Sequence, residues 1–135
     1  MPERIVLVGL GGIGSQLLPS LVRYLAIRPE PRPLLVLVDG DAYEPGNLTR
    51  QVFPETAIGT NKAEALAEVY RGLTVQAVAD YLTAANVAEN IRDGDLGLLE
   101  VDNHWSRFLV DRHLAGLQEV TLISGGNDET DGNVQ

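Results

Sequence analysis

Apolar positions in this chain follow two rhythms. Residues 5–8 ("IVLV") and 34–38 ("LLVLV") are apolar without a break. Short aliphatic, β-branched runs of this kind predict strands covered on both faces, as in a parallel sheet. Between them Ile13, Leu17, Leu18, Leu21, Val22 and Leu25 recur at helical spacing, so a helix is expected over 13–27. The connector "RPEPRP" (28–33) holds three prolines and cannot continue that helix. Further along, the pattern predicts a helix over 61–71 with Gly72 as its stop signal, and a strand over 74–78. Thr83 would cap a short helix running to about Arg92, which "DGD" (93–95) ends. A strand over 96–101, a helix over 105–117 marked by Trp105, Phe108, Leu109, Arg112 and Leu117, and a strand over 120–123 complete the series. Strands alternating with helices imply crossover units. The expected fold is α/β, a Rossmann-like parallel sheet with helices on both faces.

Two stretches break the rhythm. Residues 40–60 are the longest non-periodic segment, and long loops in compact domains are usually functional or mobile. The tail "SGGNDETDGNVQ" is polar and glycine-rich, and ends where another strand would begin. The chain therefore reads as a domain truncated on its C-terminal side, the first part of something longer. No repeat or internal boundary divides 1–135.

Composition narrows the classes. With 44% hydrophobic and 21% charged residues, the chain has the make-up of a folded domain. A net charge of −9 argues against a nucleic-acid surface. These 135 residues contain no cysteine, hence no disulfide, zinc knuckle or thiol nucleophile. No run approaches the roughly 20 apolar residues of a membrane span, and about six before the first glycines are too few for a secretory signal. The expectation is a soluble, cytoplasmic protein with no membrane association.

"GLGGIG" fits G-x-G-x-x-G at Gly9, Gly11 and Gly14, after a strand and opening a helix. Gly9 allows the tight turn, Gly11 lets a ligand lie against the backbone, and Gly14 lets helix and strand pack closely. The helix start then offers N–H groups and positive potential to phosphate. Asp39 closes the second strand 25 positions after Gly14, where a ribose hydroxyl would be met. A nucleotide is implied, but NAD and ATP both fit these features. The following loop distinguishes them. Asp39 and Asp41 precede Asn47, Arg50 and Gln51, and Lys62 follows at a helix start. Cations gathered near a phosphate turn suit a triphosphate better than a hydride carrier.

Here the chain resembles the ThiF/MoeB adenylating enzymes, which include the adenylation domains of ubiquitin-activating enzymes. The resemblance is carried by "GLGGIGS" (9–15), "DGDAYEPGNLTRQ" (39–51), "NKAEAL" (61–66), "DNHWSR" (102–107) and "ISGG" (123–126), in the family's order. It implies an ATP-dependent adenylyltransferase that activates a carboxylate as an acyl-adenylate and releases pyrophosphate. The acyl donor would be the C-terminus of a ubiquitin-like or sulfur-carrier protein, or a small molecule. Gly9, Gly11, Gly12 and Gly14 would receive ATP. Asp39 would hold the ribose, with Asp41 beside it. Asn47 and Arg50 would contact phosphates, with Gln51 close by. Lys62 would bind phosphate, and Asp102 would hold Mg²⁺. Arg50, Lys62 and Asp102 are the expected catalytic residues, and a homodimer is the implied assembly.

The family's usual helix before the first strand, with its R-Y-x-R-Q-type motif, has no counterpart, and Gly46 replaces a common serine. The C-terminal half of family members, with its crossover loop and cysteines, is not in these residues. Structural readings compete at several positions. Asp102 or Asn103 could cap a helix, and Arg50 could pair with Glu44 or Glu55. Lys62 could be a solvated first-turn lysine, and Asp41 a simple loop acceptor. His104 reads as solvated, Arg107 as part of a salt bridge, and Trp105 and Phe108 as packing residues. Two other functions share the fold: an NAD-linked oxidoreductase, resting on the glycine turn and Asp39 alone, and a non-catalytic module that binds nucleotide or a ubiquitin-like protein.

Overall fold

The computed structural model describes residues 2–49, 51, 53–100, 113, 116 and 121–124. Within them β1 (Arg4–Val8), β2 (Leu34–Val38), β3 (Val75–Val78), β4 (Leu96–Leu99) and β5 (Thr121–Ser124) form one parallel sheet in the order β3-β2-β1-β4-β5. Ile5 lies between Leu35 on β2 and Leu96 on β4, so β1 is central. The chain lays down β1, β2 and β3 in one direction, then returns to the far side of β1 for β4. That reversal opens a crevice at the carboxyl ends of β1 and β4, where open α/β sheets hold ligands.

Strand side chains alternate between the two faces, and the core divides accordingly. Ile5, Leu7, Leu35, Leu37 and Leu98 pack with Leu10, Leu18 and Leu25 of the α1 region (α1, Gly12–Ala26) and with Ala63 and Leu66 of α2 (Lys62–Val69). Val6, Val8, Val36, Val38 and Leu99 pack with Leu82, Val87 and Ile91, around α3 (Val87–Asn90). Both faces are covered, which is why β1 and β2 carry no polar residue beyond Arg4. A reversed strand order with one crossover hand puts the later helix on the opposite face from α1 and α2.

Several expected boundaries move. α1 starts at Gly12 and includes Pro19; apolar contacts on either side of the proline hold the helix through the lost backbone bond. α2 runs only Lys62–Val69. Asn61 precedes it as N-cap, its side chain accepting the Glu64 N–H at 3.0 Å. Gly72 is not in the left-handed conformation, so it is not the helix stop that its position suggested. Thr83 does not cap a helix. The Asn86 side chain accepts the Thr83 N–H at 2.8 Å, folding a turn, and α3 is a single short stretch after it. α3 ends at Asn90, ahead of "DGD", and Gly94, at φ 87°, stands in the turn that leads into β4. Within 40–60 the described residues form local bonds: 3-10 turns at Pro45–Thr49 and Glu55–Ala57, Tyr43 N–H to Thr60 O at 2.9 Å, and Gly59 N–H to Tyr43 O at 2.8 Å. The helix expected over 105–117 lies outside the described residues except for His113 and Gly116; the His113 ring nitrogen donates to the Ile91 carbonyl at 2.7 Å.

Candidate functional site

The glycine turn has the geometry its spacing implies. Gly9 sits at φ 93°, a conformation side chains rarely tolerate, and its N–H bonds Val38 O at 2.9 Å. A Cβ on Gly14 would lie 1.9 Å from the Gly9 carbonyl oxygen, so α1 packs on the turn at a distance only glycine permits. At Gly11 the same construction meets nothing nearer than Gln51 Nε2 at 3.9 Å, leaving the backbone open to a ligand. Gly12 begins α1. No side chain caps this helix start and no acidic residue lies in its first turn. The backbone N–H groups of that first turn suit an anion.

Asp39 joins β2 to this turn. One carboxylate oxygen accepts the Leu10 N–H at 2.7 Å and the other accepts the Asp41 N–H at 2.8 Å. Burial pushes the Asp39 carboxyl above its usual range. The two backbone bonds and the Lys62 ammonium act against that rise, and the Asp41 charge adds to it. Lys62 follows from α2. Its backbone N–H bonds Asp41 O at 2.9 Å. Its side chain is only 5% exposed, and Nζ sits 5.7 Å from the centre of the Tyr43 ring. Lys62 is thus not the solvated first-turn lysine that the sequence left open. Tyr43 is in turn stacked on Phe53, with centroids 3.8 Å apart and planes 11° from parallel. Burial raises the Tyr43 phenol pKa far above normal, so the ring stays neutral beneath the ammonium.

Gln51 brings its side chain to Gly11. Its Oε1 is buried and has no hydrogen-bond partner among the described residues. As an acceptor it suits a hydroxyl donor, such as a sugar, rather than a phosphate oxygen. Asn47 stands in the 3-10 turn, where its Oδ1 accepts the Glu44 N–H at 2.8 Å. Asp41 is exposed, and its carboxylate accepts the Tyr81 hydroxyl. The structure thus gathers Gly9, Gly11, Gly12, Gly14, Asp39, Asp41, Gln51 and Lys62 around the ends of β1 and β2. Arg50 and Asp102 lie outside the described residues.

Two residues of this region carry roles not read from the sequence. Asn61 caps α2 and also donates to the Asp39 carbonyl at 2.9 Å, tying the Lys62 helix to the end of β2. An asparagine immediately before a helix is a legible cap signal. Tyr81 lies against Gly40, and no local pattern marks it.

A parallel sheet in this order, with a glycine turn at its central strand and an acid closing the next, defines a Rossmann-like α/β domain of the nucleotide-binding type. Residues 2–135 match the ThiF family throughout, and the chain belongs to that family. Among solved structures it is similar to E. coli tRNA N6-threonylcarbamoyladenosine dehydratase, TcdA, at 25% identity and a TM-score of 0.76. The match covers 94% of this chain and 53% of that one. It is also similar to E. coli MccB with AMPCPP and MccA, at 24% identity and a TM-score of 0.72, covering 92% of this chain and 37% of MccB. The structure of E. coli MccB with ATP matches at 23% identity, the same TM-score of 0.72 and the same coverage of 92% and 37%. The MccB likenesses show the shared fold. The chain spans about half the length of TcdA and just over a third of MccB. Comparison with curated proteins gives no match. Among the described residues, no helix is long and apolar enough to cross a membrane.

Proposed function

We propose that residues 1–135 form a nucleotide-binding domain that binds ATP and activates a carboxylate as its acyl-adenylate. The observation that carries this reading is the burial of Lys62. A cation brought out of water near the Asp39 carboxylate, which two backbone N–H groups already engage, suits an additional anionic partner. The uncapped start of α1 and the open backbone at Gly11 fit the same polyphosphate, and Gln51 Oε1 fits a sugar hydroxyl.

In the reaction, a carboxylate oxygen bonds to the α-phosphorus, the bond to the bridging oxygen breaks, and pyrophosphate leaves. The acyl donor is ionised at neutral pH, so no general base is needed. The protein's task is positioning, and neutralising charge that grows on phosphate oxygens. Lys62 and the α1 amides serve that task, with Arg50 and Asn47 assigned to it by the motif. Mg²⁺ at Asp102 rests on the motif as well. Among the described residues no group of three acidic, histidine or cysteine side chains is placed to hold a metal. The carboxylate belongs to a ubiquitin-like or sulfur-carrier C-terminus or to a small molecule.

Calorimetry with ATP–Mg²⁺ against NAD tests the nucleotide, and tighter binding of NAD overturns the reading. ATP–pyrophosphate exchange with candidate carboxylates then tests the chemistry. Absence of exchange in a protein carrying the whole family domain favours a non-catalytic binding module.

A further inference from the structure

The order of strands gives a nucleotide a direction across this site. The phosphate turn belongs to β1 and the ribose acid, Asp39, to β2. β3 is the next strand outward, about 4.8 Å further on. A nucleotide with phosphates at the glycine turn and ribose at Asp39 therefore extends its base toward the carboxyl end of β3. The loop at that end carries Tyr81, three residues beyond Val78.

Tyr81 is held in an unusual way for an exposed aromatic. A Cβ built on Gly40 would lie 2.5, 2.6 and 2.7 Å from Cδ2, Cγ and Cε2 of the ring. Near-equal distances to three consecutive ring atoms mean that Gly40 meets the flat face of the ring, not its edge. The residue is nevertheless 60% exposed, which leaves the opposite face to solvent. The hydroxyl donates to the Asp41 carboxylate. The Tyr81 carbonyl accepts from Asn86 Nδ2 at 2.9 Å, and the same Asn86 side chain accepts the Thr83 N–H. Core packing does not explain this arrangement, because the neighbouring Leu82 is the residue that enters the core, at 5% exposed.

We propose that Tyr81 is a stacking platform for the purine base, seated on Gly40, tethered through Asp41 and presenting its outer face to the nucleotide. This rests on the ATP reading above and adds to it the residue that recognises the base. An aromatic face supported from behind loses little freedom when a base stacks on it, and stacking tolerates any base edge while favouring the larger purine surface.

The test is calorimetry on the full 135-residue chain, with ATP and inorganic tripolyphosphate as ligands. The proteins are the wild type, Tyr81→Phe and Tyr81→Ala. Tyr81→Ala should weaken ATP about 5- to 150-fold, the range for one lost base stack, and leave tripolyphosphate within about twofold. Tyr81→Phe, which keeps the ring, should retain most of the ATP affinity. Equal ATP binding by wild type and Tyr81→Ala overturns the proposal. So does a parallel loss of tripolyphosphate, or a Phe variant as weak as Ala. A wild type that binds neither ligand instead overturns the nucleotide reading itself.

Discussion

Replacing Gly14 by alanine separates a packing glycine from a ligand glycine, because Gly11, three residues earlier, offers a control in the same turn. The added Cβ at Gly14 would lie 1.9 Å from the Gly9 carbonyl oxygen, and that oxygen is backbone, which cannot rotate away. A carbon–oxygen contact relaxes at about 3.3 Å, so α1 and the turn must separate by roughly 1.4 Å. Overpacking of this severity costs about 2–3 kcal/mol. At about 2.1 cal/mol/K per residue, 135 residues give an unfolding entropy near 0.28 kcal/mol/K. The expected fall in Tm is therefore about 7–11 °C. The same displacement carries the amides of α1 away from the phosphate position, and misplacement on the scale of 1 Å costs about 100-fold where geometry matters. Gly11→Ala meets only Gln51 Nε2 at 3.9 Å, an ordinary contact. It should leave Tm within about 2 °C while weakening ATP by filling the space the nucleotide takes. Thermal melts and calorimetry on both variants read the two effects separately. A Gly14→Ala protein that melts with the wild type, or a Gly11→Ala protein with unchanged ATP affinity, refutes this account of the turn.

The other expectations concern the residues around Asp39. Lys62→Met keeps the buried aliphatic stem and removes the ammonium, so ATP–pyrophosphate exchange should fall about 100-fold with little change in melting; unchanged exchange removes Lys62 from the phosphate site. Asn61→Ala deletes the α2 cap and the tie to Asp39 O, and urea denaturation should show a loss of about 1 kcal/mol, with no loss counting against the cap. Asp39 is buried with a raised pKa, so folding favours its protonated form. Its contribution to stability is complete below the ordinary value of 3.8 and is lost as pH rises through the raised folded value. Asp39→Asn cannot titrate, so the stability of wild type relative to this variant should decline with rising pH across that window and then level off. A difference that is flat or climbs there, in melts from about pH 3.5 to 7, contradicts the assigned direction.

Local chemistry was legible in the sequence wherever one residue's neighbours along the chain set its environment. The unbroken apolar runs at 5–8 and 34–38 required strands covered on both faces, and "GLGGIG" between strand and helix required a tight turn, since only glycine tolerates φ 93° at Gly9 or contact at Gly14. The motif order from Gly9 to Gly126 carried the family. What folding alone decided were the encounters between distant segments. Asp39 reaches the Leu10 N–H across the β1–β2 pair, Lys62 turns inward over the Tyr43 ring, and Tyr81 comes to rest on Gly40 from the end of β3. The physical reason is that a periodic pattern reports which face is buried but not what is buried against it. That second fact follows from strand order and register, which bring together residues tens of positions apart.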